Sequence, residues 1–508
     1  MEGWKVFFRD LQGSDVCSFR DTVRVNFDKY KVYPDSIHEL DNSLFFLAID
    51  KETKVLIVTG EAGDRFNGEK ENFDGIKIKI CPMDNENCNI LRHLFDFTNP
   101  SYNKNCKISV GFGDRLGIAS PGHIRLIKKF PVFPVLAQQS VRELNLTSRS
   151  FVDVVAAASW AVFQEGYTKG FGADGDHLKS HDEVKSALES GCTMITLDCS
   201  EYIRNDLQNM PESVIREQYA LIDRDEKKRL ETEYLGQTFS LRSGTKITFP
   251  EDDFYTIVLT YYKAIQFMED IYIHIIAKTS TKIDFEISID ETLLPTSPAA
   301  HFFVAMELKK HKVNFMSMAP HFCGEFQKGI DYRGNLPQFE SEYILHEEIA
   351  QEFGYKLSIH SGSDKLSVFP CIGRYSASYH LKTAGTNWLE AVRLIAEKKP
   401  NLYRRMHKFA LEHFYEATKY YHVTTDLSKI PDTDKLDDSQ LPSLMNLDDT
   451  RQMIHITYGL ILQAKNPDGS SLFYAEFYKT LFDFESYYYE LLEKHLGRHL
   501  KYLGIIPQ

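Results

Sequence analysis

Three histidines each stand where an apolar, strand-like run gives way to a short polar loop. They are His177, which directly follows Asp176, and His321 and His360. Neutral imidazoles are common ligands of divalent cations, and three of them with a water make an open catalytic metal site. A single histidine is more often a hydrogen-bonded structural residue, so the shared position at strand ends is what predicts a metal centre.

Eight short apolar runs, separated by helical patterns, occupy residues 106–425. Strand and helix in alternation predict an α/β fold, and eight such units predict a TIM (β/α)8 barrel. A barrel presents the carboxyl ends of its strands at one face, where the three histidines would meet. The runs are 107–112, 132–139, 169–175, 193–199, 283–290, 313–319, 356–360 and 378–383.

Three further segments frame the predicted barrel. Residues 1–105 alternate aromatic and β-branched residues with polar ones, which predicts a β-rich N-terminal lobe. Residues at about 200–280 are too long for a simple connection and have helical periodicity, so we expect a helical insertion there. Residues 426–508 predict a linker and a helical C-terminal segment, with one long helix over 471–503.

Strand alternation places several polar side chains inside the barrel. In the fifth run Glu286 points inward, in the fourth Asp198 does, and in the eighth His380 and Lys382 do. Such a polar interior is poor for stability and therefore suggests a function. Two plainer alternatives stay open: Glu286 could merely neutralise Lys382, and His380 is as easily structural as functional.

Two loops could bind an anion. The Gly/Ser-rich loop 360–365 contains Ser361 and Lys365 at a strand-to-helix junction, where backbone N–H groups favour phosphate or carboxylate. Arg115, in the first barrel loop, could bind a carboxylate through two parallel hydrogen bonds from its guanidinium. Each feature is also compatible with ordinary turn structure.

Composition narrows the function classes. The 508 residues include 59 basic and 72 acidic ones, and the net charge of −13 disfavours a nucleic-acid partner. The eight cysteines form no CxxC pair, which indicates reduced and mostly buried thiols. The first residues lack a signal-peptide core, and no apolar run approaches the roughly 20 residues that span a bilayer. We therefore expect a cytoplasmic protein with no membrane partner, which could form a homo-oligomer.

The residues around the histidines resemble short motifs of the metal-dependent class II aldolases, in order and in placement on the third, sixth and seventh strands. The chain departs from them where Ser361 replaces a glycine and where Asp364 and Lys365 follow in place of a phosphate-binding glycine. The motifs are Asp176-His177, His321-Phe-Cys-Gly and His360-Ser-Gly-Ser.

A closer resemblance, over nearly the whole chain, is to the tagaturonate epimerase family. Members of this family are bacterial enzymes of hexuronate catabolism that interconvert tagaturonate and fructuronate with a divalent metal. The resemblance implies a metal-dependent isomerase, a carbohydrate epimerase, that acts on a small-molecule uronate. The stretches that carry it are 113–123, 172–179, 290–297 and 360–365.

Together the two resemblances imply a mechanism. The inverted carbinol lies β to the ketone, where enolisation cannot reach its C–H, so we expect retro-aldol cleavage and aldol re-formation. On this hypothesis His177, His321 and His360 bind the metal. Asp176 carries the proton of the β-hydroxyl, and Glu286 is a further ligand or a second acid/base. A mixed N/O ligand set suits Zn²⁺, Mn²⁺, Co²⁺ or Ni²⁺ and does not choose among them.

The resemblance also suggests residues that bind the substrate. Arg115 and Lys365 are candidates for binding the uronate carboxylate. Gln139, Lys179 and Asp198 are candidates for orienting the hydroxyls, and Ser361 and His380 for further contacts with the substrate.

Two other functions stay open from the sequence. The first is a class II-type aldolase, a lyase that would release two fragments of a ketose or ketose-uronate from the same site. The second is a non-catalytic sugar-binding protein on a decayed barrel, against which the intact Asp176 and the three histidines argue.

Overall fold

The computed structural model describes residues 26–27, 30–73, 76–103 and 106–508. Cys17 and the first residues, on which the signal-peptide prediction rests, lie outside the described residues. The seven cysteines within them are free thiols. Of the helices described, none combines the length and the apolar character needed to cross a membrane.

Eight parallel strands close into a barrel, and each of them overlaps one of the eight predicted runs. Every strand pairs with the next, and the eighth pairs with the first. The predicted TIM barrel is therefore confirmed. Its strands are Ile108–Gly111, Phe133–Ser140, Gly172–Leu178, Met194–Asp198, Asp284–Ile289, Ser317–Pro320, Lys356–Ile359 and Tyr379–Lys382.

Alternation along the fifth strand separates an apolar face from a polar one. Phe285, Ile287 and Ile289 belong to the main hydrophobic core, which the surrounding helices complete. Glu286, between them, lies inside the barrel, where its carboxylate contacts Thr196 and Ser317 of the two neighbouring strands. The barrel interior is therefore polar at this level, as strand alternation predicts.

Helices follow the strands around the barrel. The one after the third strand is capped by Ser180, whose side chain accepts a hydrogen bond from the Glu183 amide. The helices are Ser120–Ile127, Val141–Thr147, Phe151–Gln164, His181–Glu189, Pro298–Lys310, Leu336–Phe353, Phe369–Tyr375 and Thr386–Lys398.

The insertion between the fourth and fifth strands is mainly helical, as predicted. It contains the helices Glu212–Tyr219, Arg224–Tyr234 and Glu251–His274. It also holds a small hairpin, Thr238–Ser240 paired with Lys246–Thr248, which the sequence analysis missed. Strands of three residues are too short to show a reliable alternation of polar and apolar positions.

The N-terminal region is an antiparallel sheet followed by the helix Asn85–Leu94, which confirms its predicted β-rich character. One face of the sheet, including Phe45 and Leu56, packs with Trp160 and Phe163 of a barrel helix. The strands are Asn26–Phe27, Tyr30–Val32, His38–Leu40, Ser43–Asp50, Thr53–Thr59, Glu69–Phe73 and Ile76–Pro82.

The C-terminal region is helical, as predicted, and shares a second hydrophobic core with the helix Thr386–Lys398. The predicted long helix over 471–503 is instead two helices that break at Phe484. The boundaries of the predicted domains at 105 and 425 stay predictions. The helices are Pro400–Glu412, Phe414–Ala417, Asp448–Ile456, Tyr458–Gln463, Tyr474–Asp483 and Glu485–Tyr502.

Candidate active site

A cavity of about 630 Å³ lies at the carboxyl ends of the barrel strands. This is the end at which TIM barrels carry their active sites. His177, His321 and His360 all line it, together with Asp176 and Asp290. The fold thus brings the three predicted histidines to one cavity.

A β-bulge explains how Asp176 and His177, neighbours in sequence, both face this cavity. Consecutive residues of a regular strand point to opposite faces. Here the pairing with the fourth strand shifts between Gly175 and Leu178, and His177 takes the left-handed conformation with a φ of 53°. A non-glycine residue in this region is strained, and such strain concentrates at functional sites.

The structure groups three side chains as candidate metal ligands. Potential ligand atoms of His177, Asp290 and His360 all lie within 4.8 Å of one another. The two imidazole rings are 4.9 Å apart between centroids, at an angle of 74°. Two imidazoles and one carboxylate are a donor set that suits a divalent cation.

Two details of this group differ from the predicted ligand set. Asp290 was not predicted as a ligand, although strand alternation does turn it inward. His321 lines the same cavity but lies outside the group, and its Nδ1 is 3.0 Å from the Thr292 hydroxyl. Its role as a third histidine ligand stays a prediction.

Carboxylates behind two of the histidines fix the orientation of their rings. Asp198 Oδ2 is 3.2 Å from His177 Nδ1, and Glu286 Oε1 is 2.9 Å from His360 Nε2. Such carboxylate–histidine pairs orient metal ligands and make them more basic. Glu286 is fully buried, and neither carboxylate lines the cavity, so both are placed to act through the histidines.

The electrostatics of the site favour a positive charge. Burial alone would lower the pKa of His177, but Asp176, Asp198 and Asp290 outweigh it and raise that pKa to about 10. Asp290 also lies 3.2 Å from His360 Nδ1. Because these carboxylates stabilise a cation between the two rings, the residues present fit a bound divalent metal.

Below this group, one lysine forms ion pairs with three buried carboxylates. Lys382 Nζ lies 2.6 Å from Asp176, 2.8 Å from Glu286 and 3.0 Å from Asp174. Burial would raise the pKa of Asp176, but Lys382 and His177 lower it to about 2. Asp176 is therefore ionised at neutral pH and can accept a proton. Glu286 does neutralise Lys382, as the plainer alternative held, and it also contacts His360.

The two predicted carboxylate-binding residues have protein partners of their own. Arg115 lines the cavity, but its guanidinium pairs with Glu143 and lies 4.3 Å from the centre of the Tyr458 ring. Lys365 is fully buried outside the cavity lining. Its Nζ donates to three backbone carbonyls, those of Gln327, Ile330 and Ser363, at 2.6–3.0 Å.

Loop geometry is the reason for the position of Lys365. Ser361 and Asp364 both adopt left-handed backbone conformations, with φ values of 50° and 63°. The loop after the seventh strand therefore turns twice, and Lys365 Nζ ends among the carbonyls of the preceding barrel loop. This arrangement does not favour direct contact between Lys365 and a substrate carboxylate.

Only Ser361 and Arg115, of the seven predicted substrate-binding residues, line the cavity. Gln139 accepts a hydrogen bond from Arg149 instead, because the alternating strand turns its neighbour Gln138 to the cavity. Lys179 donates to Ser200 at 3.0 Å. His380 is fully buried, with its Nδ1 2.9 Å from Ser109 Oγ, and burial lowers its pKa to about 3.

Other cavity residues were missed by the sequence analysis. Arg142 follows the second strand by two residues, and Lys328 lies in the loop after the sixth. Their positions beyond strand ends were a usable signal. Tyr421 and His455 come from beyond the eighth strand, and no local pattern places them at the cavity.

Comparison with known proteins gives concordant matches. A family model described as tagaturonate epimerase matches residues 33–503. A tagaturonate/fructuronate epimerase from Thermotoga maritima is 42% identical over 478 residues, which cover 93% of this chain and 97% of that protein. The native crystal structure of fructuronate-tagaturonate epimerase UxaE from Cohnella laeviribosi matches with a TM-score of 0.91 and 49% identity, covering 94% of this chain and 97% of that one. Its complex with two glycerols matches with a TM-score of 0.91 and 47% identity, covering 99% of this chain and 100% of that one.

Proposed function

The chain belongs to the tagaturonate epimerase family, and from this premise we propose that it interconverts D-tagaturonate and D-fructuronate in hexuronate catabolism. The observation that carries the proposal for this chain is the group of His177, His360 and Asp290 beside Asp176 in one cavity. We also propose a cytoplasmic location and a homo-oligomeric state, both of which stay predictions from the sequence.

Epimerisation here has a particular chemical difficulty. The carbon that is inverted lies β to the ketone, so removal of its hydrogen would leave a carbanion that the ketone cannot stabilise. Cleavage of the bond between the α and β carbons avoids this problem, because it leaves an aldehyde and the enolate of a ketone. Rotation of the aldehyde before the bond re-forms inverts the centre.

We assign the divalent metal to His177, His360 and Asp290, with His321 as a further proposed ligand. When bound, the ion would act as a Lewis acid towards the ketone oxygen and stabilise the negative charge that cleavage creates there. Zn²⁺, Mn²⁺, Co²⁺ and Ni²⁺ all suit this donor set.

The remaining steps belong to side chains of the chain itself. Asp176 accepts the proton of the β-hydroxyl as the bond breaks and returns it when the bond re-forms. Lys382, 2.6 Å from Asp176 Oδ1, holds that carboxylate in its ionised form and in place. Asp198 and Glu286 orient the two imidazoles. An epimerase differs from an aldolase in keeping the aldehyde in the cavity until the bond re-forms.

The test is incubation of metal-loaded protein with D-fructuronate in deuterium oxide. We expect D-tagaturonate to form with no deuterium at the inverted carbon, and we expect chelation to stop the reaction reversibly. Absence of D-tagaturonate would refute the function. Deuterium at the inverted carbon would refute the retro-aldol route alone, and accumulation of free three-carbon products would indicate a lyase.

A further inference from the structure

Two basic side chains of the cavity lack an acidic partner. Neither Arg142 nor Lys328 forms an ion pair with any of the residues that the structure describes. Arg142 donates to the Tyr420 carbonyl at 3.2 Å and lies 4.7 Å from the centre of the Tyr421 ring, while its Nε is buried without a hydrogen bond. Lys328 donates to Ser361 Oγ at 2.8 Å. Both side chains line the cavity.

These two cations are close enough to repel each other. Burial lowers the pKa of Lys328, and the positive charge of Arg142 lowers it further. Arg115, the third cation of this wall, is already paired with Glu143. Like charges held together in a partly desolvated site raise the energy of the protein, and a bound anion relieves that energy.

The distribution of charge within the cavity is uneven. Asp176 and Asp290 lie with the candidate metal ligands, whereas Arg142 and Lys328 donate hydrogen bonds only to neutral acceptors. Glu143 and Glu291 also line the cavity and help to raise the pKa of Arg142, but neither forms an ion pair with it among the described residues. A uronate has a matching asymmetry, since a ketone and hydroxyls can chelate a metal while the terminal carboxylate is an anion. Arg142 is also anchored, because the Tyr420 carbonyl and the Tyr421 ring hold its guanidinium.

We propose that Arg142 and Lys328 bind the terminal carboxylate of the substrate and thereby select uronates over neutral ketohexoses. This inference deepens the proposed function and rests on it. It moves carboxylate recognition away from Lys365, whose amino group three carbonyls already occupy. Ser361 contributes indirectly, because its hydroxyl holds the Lys328 amino group.

The experiment compares two substrates that differ only in the terminal group, D-fructuronate and D-fructose. In the metal-loaded enzyme, Arg142→Gln and Lys328→Met should each raise KM for D-fructuronate roughly 10- to 100-fold, since each removes one charge-assisted hydrogen bond. We expect a much smaller change in kcat, and a much smaller change in KM for D-fructose than for D-fructuronate. Arg142→Lys and Lys328→Arg keep the charge and should restore much of the affinity.

Matched control variants and a binding measurement separate the proposed carboxylate recognition from the proposed epimerase function. Arg224→Gln and Lys228→Met remove the same charges from exposed positions of an insertion helix and should leave KM unchanged. Calorimetric binding of both sugars to chelator-treated protein, which needs no turnover, should show the same selective loss of D-fructuronate. The calorimetric comparison decides the matter if the wild-type enzyme does not turn over D-fructose.

Two outcomes would overturn the inference while leaving the epimerase function intact. One is an unchanged KM for D-fructuronate in both variants, and the other is an equal loss of affinity for the two sugars. If Arg142→Gln does not fold, the inference is tested by comparing KM for D-fructuronate in Lys328→Met and Lys328→Arg. Failure of the wild-type enzyme to interconvert uronates would instead refute the proposed function.

Discussion

Each histidine of the candidate metal group has one ring nitrogen close to a carboxylate behind it. For His177 this partner is Asp198, whose other oxygen accepts a hydrogen bond from the Ser200 amide at 2.9 Å. The carboxylate is thus fixed on one side and fixes the imidazole on the other. This chain of contacts sets the ring before a metal arrives, which lowers the entropy lost on binding.

The first residue-scale prediction concerns this support. Asp198→Asn keeps the size of the side chain but removes its charge, so we expect metal affinity to fall roughly 10- to 100-fold. Titration of the chelated protein with Zn²⁺ or Mn²⁺ measures the affinity directly. Thermal unfolding of the metal-free variant checks that the fold is intact. Wild-type metal affinity in a folded Asp198→Asn protein would show that the contact of Asp198 with His177 does not support metal binding.

The second residue-scale prediction separates proton transfer from metal binding. Asp176→Asn removes the proposed proton acceptor from a cavity whose candidate ligands are intact, so kcat should fall by roughly 10²- to 10⁴-fold. Metal content, measured by mass spectrometry of the purified protein, should stay at the wild-type level. Loss of the metal together with activity would reassign Asp176 to the metal site, and retention of full activity would exclude it as the base.

At the scale of elements, local patterns predicted the barrel because a strand of four to eight residues shows its alternation in sequence. The same patterns placed the fifth-strand residue Glu286 correctly inside the barrel. They failed where the backbone departs from regular geometry. Lys365 follows two left-handed residues, and such loop turns depend on contacts with distant segments. Gln138 lines the cavity in place of the predicted Gln139, because every residue of the second strand is buried and its sequence does not show which residues face inward.

The element-scale prediction concerns the loop that follows the seventh strand. Asp364 joins this loop to the C-terminal helices, since its carboxylate lies 2.6 Å from Arg451 and 2.5 Å from His495. Its backbone N–H also donates to His499 Nε2 at 2.8 Å. Removal of one partner from a buried charge network leaves the others uncompensated. The C-terminal helices are therefore expected to hold the loop that carries Ser361.

Asp364→Asn should lower the free energy of unfolding by about 3–5 kcal/mol, as measured by urea denaturation. The matched control is Asp434→Asn, the same substitution at an exposed position whose carboxylate has no ion pair in the described part of the chain. We expect the control to stay within about 0.5 kcal/mol of wild type. If the two variants have equal stability, the network does not stabilise the loop.

At the scale of the whole molecule, the cavity is assembled from distant parts of the chain. Barrel strands supply the candidate metal ligands, whereas Tyr420, Tyr421 and His455 reach the same cavity from beyond the eighth strand. The sequence patterns predicted the end of the barrel domain at 425 and only a linker and a helical segment over 426–508, because contacts between distant segments leave no periodic signal. The part of the cavity proposed to bind the carboxylate was therefore less predictable than the candidate metal group.

The whole-molecule prediction concerns acid stability. Burial lowers the pKa of four histidines outside the metal group from 6.5 to about 4. Between those two pH values the unfolded chain binds more protons than the folded chain, so folding stability is lost as pH falls. Each histidine can account for up to roughly 3 kcal/mol of this loss. The four are His123, His346, His407 and His499.

Urea denaturation at a series of pH values from 7.5 to 4 should therefore show the free energy of unfolding falling steeply below about pH 6. His123 offers the cleanest single test, because it is buried against Phe112 and its Nδ1 has no hydrogen-bond partner. His123→Gln cannot take up the proton, so its free energy of unfolding should fall less steeply with decreasing pH than that of wild type. Parallel curves for the two proteins would show that His123 does not bind its proton preferentially in the unfolded state. A chain that keeps several buried imidazoles neutral therefore loses stability in mild acid through residues that lie outside the candidate metal group.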